Sequence, residues 1–228
     1  MKLRHWLIAL LGINIVIAIH ELGHWSIAQF FKVETPEFSI GFGPTLLAKK
    51  IGSTTFVLAA LPLGGFVEIE GMRQVQPGKE AVSFATQPFA HQALIMLGGI
   101  LFNLIFALFV LMFIGFTLPD PRSLSDQNST VHRSNIMGPV GIIRLAAQSV
   151  EYGINYFIYF LAILSINLAI VNLLPLPILD GGQLLILMFE KIGGAPMPDP
   201  FYQFIMTATI FLMIYIVIFA TRKDLARL

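Results

Sequence analysis

The sequence contains no cysteine and few charged residues. Of its 228 residues, only 12% are Asp, Glu, Lys or Arg, and the formal net charge is +1. The missing thiols exclude a disulfide framework and a cysteine-ligated metal site, so any bound metal ion must be held by His, Asp or Glu. Lysine and arginine are scattered along the chain and form no basic stripe. This distribution gives no support to a nucleic-acid partner.

Hydrophobic side chains, in contrast, make up 56% of the sequence, and the mean hydropathy is +0.80. Four runs are long enough to cross a hydrocarbon core of about 30 Å; they cover approximately residues 6–31, 89–118, 152–174 and 201–220. The first run starts like a signal peptide, but it continues without a small-residue cleavage site, and we interpret it as a retained span. We therefore predict an α-helical integral membrane protein with four transmembrane helices that contacts the lipid bilayer directly.

The four spans place both termini on one side of the membrane and the first loop on the other side. Basic residues are nearly balanced between the two sides, so charge alone does not reveal which side is cytoplasmic. The first loop contains TTFVLAALPLGGFV, whose β-branched and aromatic residues, punctuated by Gly and Pro, predict short strands. Such an apolar hairpin would tend to dip into the bilayer, where protein or a water-filled cavity must cover its backbone.

The connection between the second and third spans is short. It covers approximately residues 119–137 and is polar, and a segment of about 20 residues is too small for an independent domain. The stretch GPVGIIRLAAQS that follows it predicts a small amphipathic helix leading into the third span. We expect residues 1–228 to form a single domain.

The segment HELGH, His20 to His24, places two imidazoles and a carboxylate inside the first span. On a helix, residues i and i+4 share a face, so His20 and His24 can bind one ion while Glu21 reaches a water molecule on that ion. Zinc suits this set because it accepts imidazole nitrogen tetrahedrally and keeps one position for water. These residues could instead bond between helices, but that interpretation supplies no partner for the buried carboxylate.

A third ligand is expected nearer the first-loop side, because His24 lies roughly 12 Å from the Lys32 end of its helix at 1.5 Å per residue. Asp180, in NLLPLPILDGG, is the best candidate. The two prolines cannot continue the third span, and Gly181 and Gly182 allow a sharp turn, so Asp180 would lie on irregular backbone at a helix end. Asp180 could instead be a helix cap or turn residue.

Other ionisable side chains are weaker candidates. Glu68 belongs to the strand-like loop, and Glu190 stands beside a lysine at the end of a short helix. The three remaining histidines fall at span edges or in a loop, where we expect interfacial or solvated side chains and not metal ligands: His5, His91 and His132.

Several polar and small residues in the second and third spans have two interpretations. Asn167 and Asn172 could form hydrogen bonds between helices, or one or both could donate to a substrate carbonyl or a developing oxyanion beside the metal. Gly98, Gly99 and Asn103 are typical of close packing between the second and first spans.

These motifs, taken in order, cover nearly the whole chain: HELGH, GFGP from Gly41, PLGGFV from Pro62, the Gly99–Asn103 GxxxN pattern, GPVG from Gly138, and SINLAIVNLLPLPILDGG. Together they resemble the site-2 proteases, which are intramembrane zinc metalloproteases. The resemblance is to the bacterial branch that cuts membrane-embedded anti-sigma factors and remnant signal peptides, although the second loop has no room for a PDZ domain and we expect no CBS domain.

The resemblance implies that His20, His24 and Asp180 bind zinc, that Glu21 is the general base, and that Asn167 and Asn172 hold substrate or shape the site. It also implies that the first loop is a membrane-reentrant β-hairpin or β-sheet element, at approximately residues 36–72, beside the active site. The first-loop side would then be cytoplasmic, in a bacterial inner membrane. The substrates would be single-span membrane proteins.

A transmembrane substrate helix hides its amides in internal hydrogen bonds, so it must be unwound into an extended strand before cleavage. We expect the strand edge near Gly64 and Gly65 to pair with that extended substrate. A different class of function is a metal or ion transporter, since intramembrane His and Asp also mark permeation routes. A transporter would need polar residues across the full membrane depth, and the halves of the spans away from the first loop are almost wholly apolar.

Overall fold

The structure is a computed structural model that describes residues 2–117 and 137–226. Within these ranges the chain forms six α-helices and a two-stranded β-sheet, together with two short 3₁₀ helices at Glu80–Val82 and Phe84–Thr86. In chain order the longer elements are α1 (Leu3–Phe30), β1 (Glu37–Ile51), β2 (Thr54–Val67), α2 (Phe89–Thr117), α3 (Pro139–Tyr152), α4 (Ile154–Asn172), α5 (Asp180–Gly193) and α6 (Asp199–Leu225).

Four of the helices, α1, α2, α4 and α6, are long and apolar enough to cross a membrane. Their ends lie within five residues of the predicted ends, and most differ by one or two residues, as helix boundaries commonly do. The prediction of a mainly helical protein with four apolar spans is therefore confirmed. The amphipathic helix predicted from GPVGIIRLAAQS is present as α3, whereas the predicted polar loop at about 119–137 lies almost wholly outside the described residues.

The first loop forms an irregular antiparallel sheet of β1 and β2. The two strands meet at a tight turn, where Ile51 pairs with Thr54, and the pairing continues outward to Leu47 and Leu58. Residues 38–40 of β1 pair with two separate parts of β2, residues 56–58 and residues 65–67. The strands predicted from TTFVLAALPLGGFV are confirmed, whereas this doubled pairing was not expected.

The chain divides into two compact units. One unit consists of Met1–Ile13, Ile105–Asn167 and Pro198–Leu228. In it, the buried Asp224 of α6 accepts hydrogen bonds from the backbone N–H groups of Gly138, at 3.2 Å, and Gly141, at 2.7 Å. A carboxylate is favourable at the N-terminus of α3 because helix N-termini carry partial positive charge. The GPVG motif therefore has a structural role: a β-carbon on either glycine would press against Asp224.

The other unit consists of Asn14–Leu104 and Leu168–Met197 and contains the sheet, α5 and the HELGH segment. Its apolar core is formed by residues from α1, from the segment between α1 and β1, from the segment between the sheet and α2, and from α2, namely Ala28, Val33, Phe84, Ile95 and Met96. On the surface of this unit, Lys79 forms salt bridges of 2.8 Å with Glu70 and 3.2 Å with Glu34. The hydrogen bonds that the Lys79 ammonium donates to these two carboxylates raise the pKa of Lys79.

Candidate metal centre

Three side-chain atoms converge inside the second unit. Nε2 of His20 lies 3.1 Å from Oδ2 of Asp180, and Nε2 of His24 lies 3.4 Å from the same oxygen. The two Nε2 atoms are 3.3 Å apart. Both imidazoles are buried, whereas the Asp180 side chain keeps 20% of its surface exposed. Among the described residues, this is the one cluster in which at least three His, Cys, Asp or Glu side chains lie close enough together to bind one metal ion.

The size of this triangle fits zinc. Zinc bonds to imidazole nitrogen and carboxylate oxygen are about 2.0–2.1 Å long, so two ligands of a tetrahedral ion lie about 3.3–3.4 Å apart. The three observed distances span 3.1 to 3.4 Å. Oδ2 of Asp180 is also fully buried without a properly directed hydrogen bond from any described residue. Two imidazoles and one carboxylate leave one tetrahedral position open, as in catalytic zinc sites.

Glycines let α1 and α2 approach closely enough to bury the imidazoles. A β-carbon on Gly23 would lie 2.2 Å from the carbonyl oxygen of Gly98, and one on Gly98 would lie 2.7 Å from that of Gly23. A β-carbon on Gly99 would lie 2.5 Å from Nε2 of His24 and 2.5 Å from Cε1 of His20. The packing interpretation of these glycines agrees with this arrangement, and the space beside Gly99 is what admits both rings.

Asp180 reaches the histidines because the chain breaks after α4 and a new helix starts at this residue. The break at Pro175 and Pro177 was expected, but the role assigned to the next two glycines was wrong. Gly181 and Gly182 lie in the first turn of α5 and form no sharp turn. Their β-carbons would lie 2.3 Å and 2.0 Å from the carbonyl oxygens of Leu173 and Leu176, so they allow the returning helix to pack against the preceding backbone.

The second nitrogen of each imidazole contacts α2. Nδ1 of His24 lies 2.8 Å from the carbonyl oxygen of Ile95, and Nδ1 of His20 lies 3.2 Å from the amide nitrogen of Asn103. Asn103 is fully buried. The sequence had suggested only packing for Asn103; the available signal was its four-residue spacing from Gly99, which puts both residues on one face of α2.

Glu21 faces the sheet. The Glu21 carboxylate lies near the backbone N–H of Val67, and a β-carbon on Gly65 would lie 3.5 Å from Cγ of Glu21. The strand segment that contains Gly64 and Gly65 therefore runs beside the predicted general base. Gly64 has a φ of +121°, and a side chain there would collide with the ring of Phe42.

The two asparagines of α4 bond within their own helix. The amide of Asn167 donates to the carbonyl oxygen of Ile163 and that of Asn172 to the carbonyl oxygen of Leu168, each at 3.0 Å. Among the described residues, both bonds stay within α4 and do not form the interhelical hydrogen bonds that were one interpretation of the pair. Asn167 is exposed and Asn172 half-buried.

The competing carboxylates lie away from the triangle. Glu68 is exposed. Glu190 binds Arg73 through a 2.7 Å salt bridge and also accepts a hydrogen bond from the backbone of Met197. Both residues of this ion pair line a cleft of about 520 Å³ to which none of the three candidate ligands contributes.

None of the other described histidines joins the cluster. His91 stacks on Phe31, with ring centroids 3.9 Å apart. His5 is 7% exposed and contacts Arg4, so the solvated alternative is wrong for this residue. His132 lies outside the described residues.

A comparison with known families agrees with this geometry. The family model described as Peptidase family M50 matches residues 8–216. The chain belongs to peptidase family M50. With its three-ligand cluster and apolar helices, it is a multi-pass membrane protein and a zinc metalloprotease of the site-2 protease type. This membership favours the protease over the transporter interpretation.

Relatives within the M50 family differ in length and in the share of this chain that they match. A candidate zinc metalloprotease of Clostridium perfringens is 22% identical in a match covering 95% of this chain and 97% of that protein. A similar protein of Synechocystis sp. is 24% identical, with 92% and 91% covered. Protease RseP of Yersinia pestis is 41% identical over 98 residues, which are 43% of this chain and 22% of RseP. The chain thus matches less than a quarter of RseP.

Proposed function

We propose that this M50 protein is an intramembrane endopeptidase that hydrolyses peptide bonds within or near the transmembrane segments of single-span, membrane-anchored proteins. The substrates would be of the anti-sigma-factor or remnant-signal-peptide type. The observation that carries this proposal is the triangle of donor atoms at tetrahedral spacing, two of which, like Glu21, belong to the span-length apolar helix α1. The name of the related protein RseP, a regulator of sigma-E protease in Salmonella typhimurium, supports the anti-sigma-factor type.

In this proposal His20, His24 and Asp180 hold the metal. Zinc bound there would supply Lewis-acid chemistry, polarising the scissile carbonyl and acidifying water. Glu21 accepts a proton from the attacking water and delivers it to the leaving amine nitrogen, so hydrolysis proceeds without a covalent intermediate. Each asparagine amide of α4 has a second N–H, and we assign those of Asn167 and Asn172 to substrate carbonyl binding.

The sheet has a role in presenting the substrate. We propose that the extended substrate pairs with the strand segment at Gly64 and Gly65, because this segment runs beside Glu21. Strand addition satisfies the backbone groups that unwinding of a substrate helix exposes. The β element, at about 36–72, would be membrane-reentrant, since apolar residues at its surface such as Leu47 and Leu61 are more than half exposed.

We place the protein in a bacterial inner membrane with the active site toward the cytoplasm. His20 and His24 lie in the second half of α1, which leads into the first loop. The first loop forms the β element. The metal centre and the sheet would therefore lie on the same side of the membrane. The resemblance to site-2 proteases supports the cytoplasmic assignment.

The proposal is tested with purified protein in detergent and a single-span substrate, assayed with and without a chelator. In this assay Glu21→Gln should retain stoichiometric zinc and lose about 10²–10⁴-fold in cleavage rate, because the base is removed while the ligands remain. Wild-type cleavage should also stop when the chelator removes zinc. Near-normal cleavage by Glu21→Gln, or loss of zinc from it, would contradict the role assigned to this residue.

A further inference from the structure

The two imidazoles of the metal centre have different partners at the nitrogen that faces away from Asp180. His24 Nδ1 contacts a backbone carbonyl, that of Ile95, at 2.8 Å. A carbonyl can only accept a hydrogen bond, so His24 Nδ1 must carry the proton there. The lone pair of a neutral His24 ring is then on Nε2, the atom that points at the other two donors. The backbone of α2 alone therefore fixes His24 in the form that can ligate a metal.

His20 needs the same form but has no backbone carbonyl to select it. Its Nε2 lies 3.1 Å from Asp180 and 3.3 Å from His24 Nε2, so Nε2 must be the ligating atom and Nδ1 must carry the proton. The partner of that Nδ1 is the side-chain amide of Asn103, 3.2 Å away. An amide can present its oxygen or its nitrogen, because the two ends have nearly the same shape and a half-turn exchanges them.

We propose that Asn103 is a positioning residue that selects the ligating tautomer of His20 by presenting its amide oxygen to the Nδ1 proton. The residue is completely buried, so water cannot replace it as the acceptor. Gly99, one helical turn earlier, leaves room for the ring to reach Asn103. This inference rests on the proposed metal site and extends it to a partner that orients a ligand, the kind of contact that commonly sets metal affinity.

The test compares three variants by zinc affinity, measured by competition with a chelator in detergent. Asn103→Leu keeps the size of the side chain but has no acceptor, and it should weaken zinc binding by about 10–100-fold. Asn103→Asp offers an oxygen in either orientation and should bind zinc at least as tightly as the wild type. Asn103→Ala has no acceptor and a smaller side chain. It should weaken zinc binding as Asn103→Leu does, and it replaces Asn103→Leu in the comparison if that variant does not fold.

A role in packing alone predicts a different pattern. The melting temperature measured without zinc would then fall most for Asn103→Ala, and zinc affinity would follow that stability across the three variants. Equal zinc affinity of Asn103→Leu and wild type, or weaker binding by a folded Asn103→Asp, would overturn the proposal.

A direct readout is the ¹⁵N spectrum of His20 with isotope-labelled histidine, in which protonated and unprotonated ring nitrogens have distinct shifts. With zinc bound, we expect Nδ1–H in the wild type and in Asn103→Asp. The opposite assignment would overturn the proposal. If the wild type itself bound no zinc, the metal site would fail, whereas normal wild-type binding with an unaffected Asn103→Leu would leave the proposed function intact and remove only the role of Asn103.

Discussion

The residues of the candidate metal centre differ in how far the sequence predicts them. A residue placed by spacing within one helix can be predicted, whereas a residue placed by contact between two helices cannot. His20 and His24 share a face through helical spacing alone, so four sequence positions suffice to pair them. Asp180 could be selected by its position after two prolines, although the glycines beside it act through close packing and not through a turn. The contact of Asn103 with His20 bridges 83 sequence positions. Nothing in its local sequence determines which residue of another helix it meets.

At this scale, Asp180→Ala tests the third ligand. The change leaves two imidazoles, which make an incomplete site for zinc. Removing an outer-shell partner of a metal ligand typically weakens metal binding about 10–100-fold. Asp180→Ala should weaken zinc binding by more than this, and the cleavage rate should fall with the zinc content. Zinc per chain at a buffered free concentration, together with the cleavage rate, measures both effects.

Glu68→Ala is the matched control, because it removes a carboxylate that the sequence also offered as a ligand but that is exposed in the structure. It should leave zinc binding unchanged. Full zinc content in a folded Asp180→Ala protein would mean that another residue completes the site.

At the scale of elements, the four long helices could be predicted from the length and composition of the apolar runs. The sheet could be predicted only in part. β-Branched and aromatic residues, punctuated by Gly and Pro, predicted strands, but the register of the two strands depends on long-range pairing. Residues 38–40 pair with residues 56–58 and also with residues 65–67 of β2. Such pairing is set by bulges and by glycines such as Gly41, which has a φ of +92°; a carbonyl of β2 would lie 2.7 Å from its β-carbon. Periodicity in sequence cannot distinguish one register from the other.

The proposed pairing of substrate with β2 predicts an alternation along the substrate. Direct substitution of Gly65 is unsuitable, because any β-carbon there would lie 2.7 Å from the carbonyl oxygen of Ser39 and disturb the sheet itself. We would instead N-methylate single amides near the cleavage site of a synthetic substrate. In a strand, alternate N–H groups point to the partner, so methylation at every second position should slow cleavage by about five- to tenfold per lost hydrogen bond.

The intervening positions of the same peptide are the control, since they carry the same methyl group but point away from β2. They should be cleaved at rates close to that of the parent peptide. Equal slowing at all positions would indicate a general steric effect and would contradict strand addition.

At the scale of the whole molecule, the number of spans determines which loops share a side, but it does not determine which side is cytoplasmic. The turn between β1 and β2 is tied to α1 because Trp25 Nε1 donates to the Thr54 hydroxyl at 3.1 Å. Trp25 directly follows HELGH, so this contact connects the turn of the sheet to the part of α1 that carries the two histidines. The cytoplasmic orientation is a proposal that rests on the resemblance to site-2 proteases, because basic residues are almost evenly divided between the two sides.

The absence of cysteine allows this orientation to be measured. A cysteine introduced at Ser53, in the exposed turn between the strands, would be the sole thiol in the protein. If the turn is cytoplasmic, a membrane-impermeant maleimide added to cells with a permeabilised outer membrane should label Ser53→Cys only after the inner membrane is disrupted. Arg222→Cys, exposed in the last turn of α6, should be labelled before disruption, because four spans predict that both termini lie on the side opposite the first loop. Labelling of Ser53→Cys in intact inner membranes, with Arg222→Cys protected, would place the metal centre toward the outside. It would exclude the proposed cytoplasmic orientation while leaving the zinc site and its chemistry unaffected.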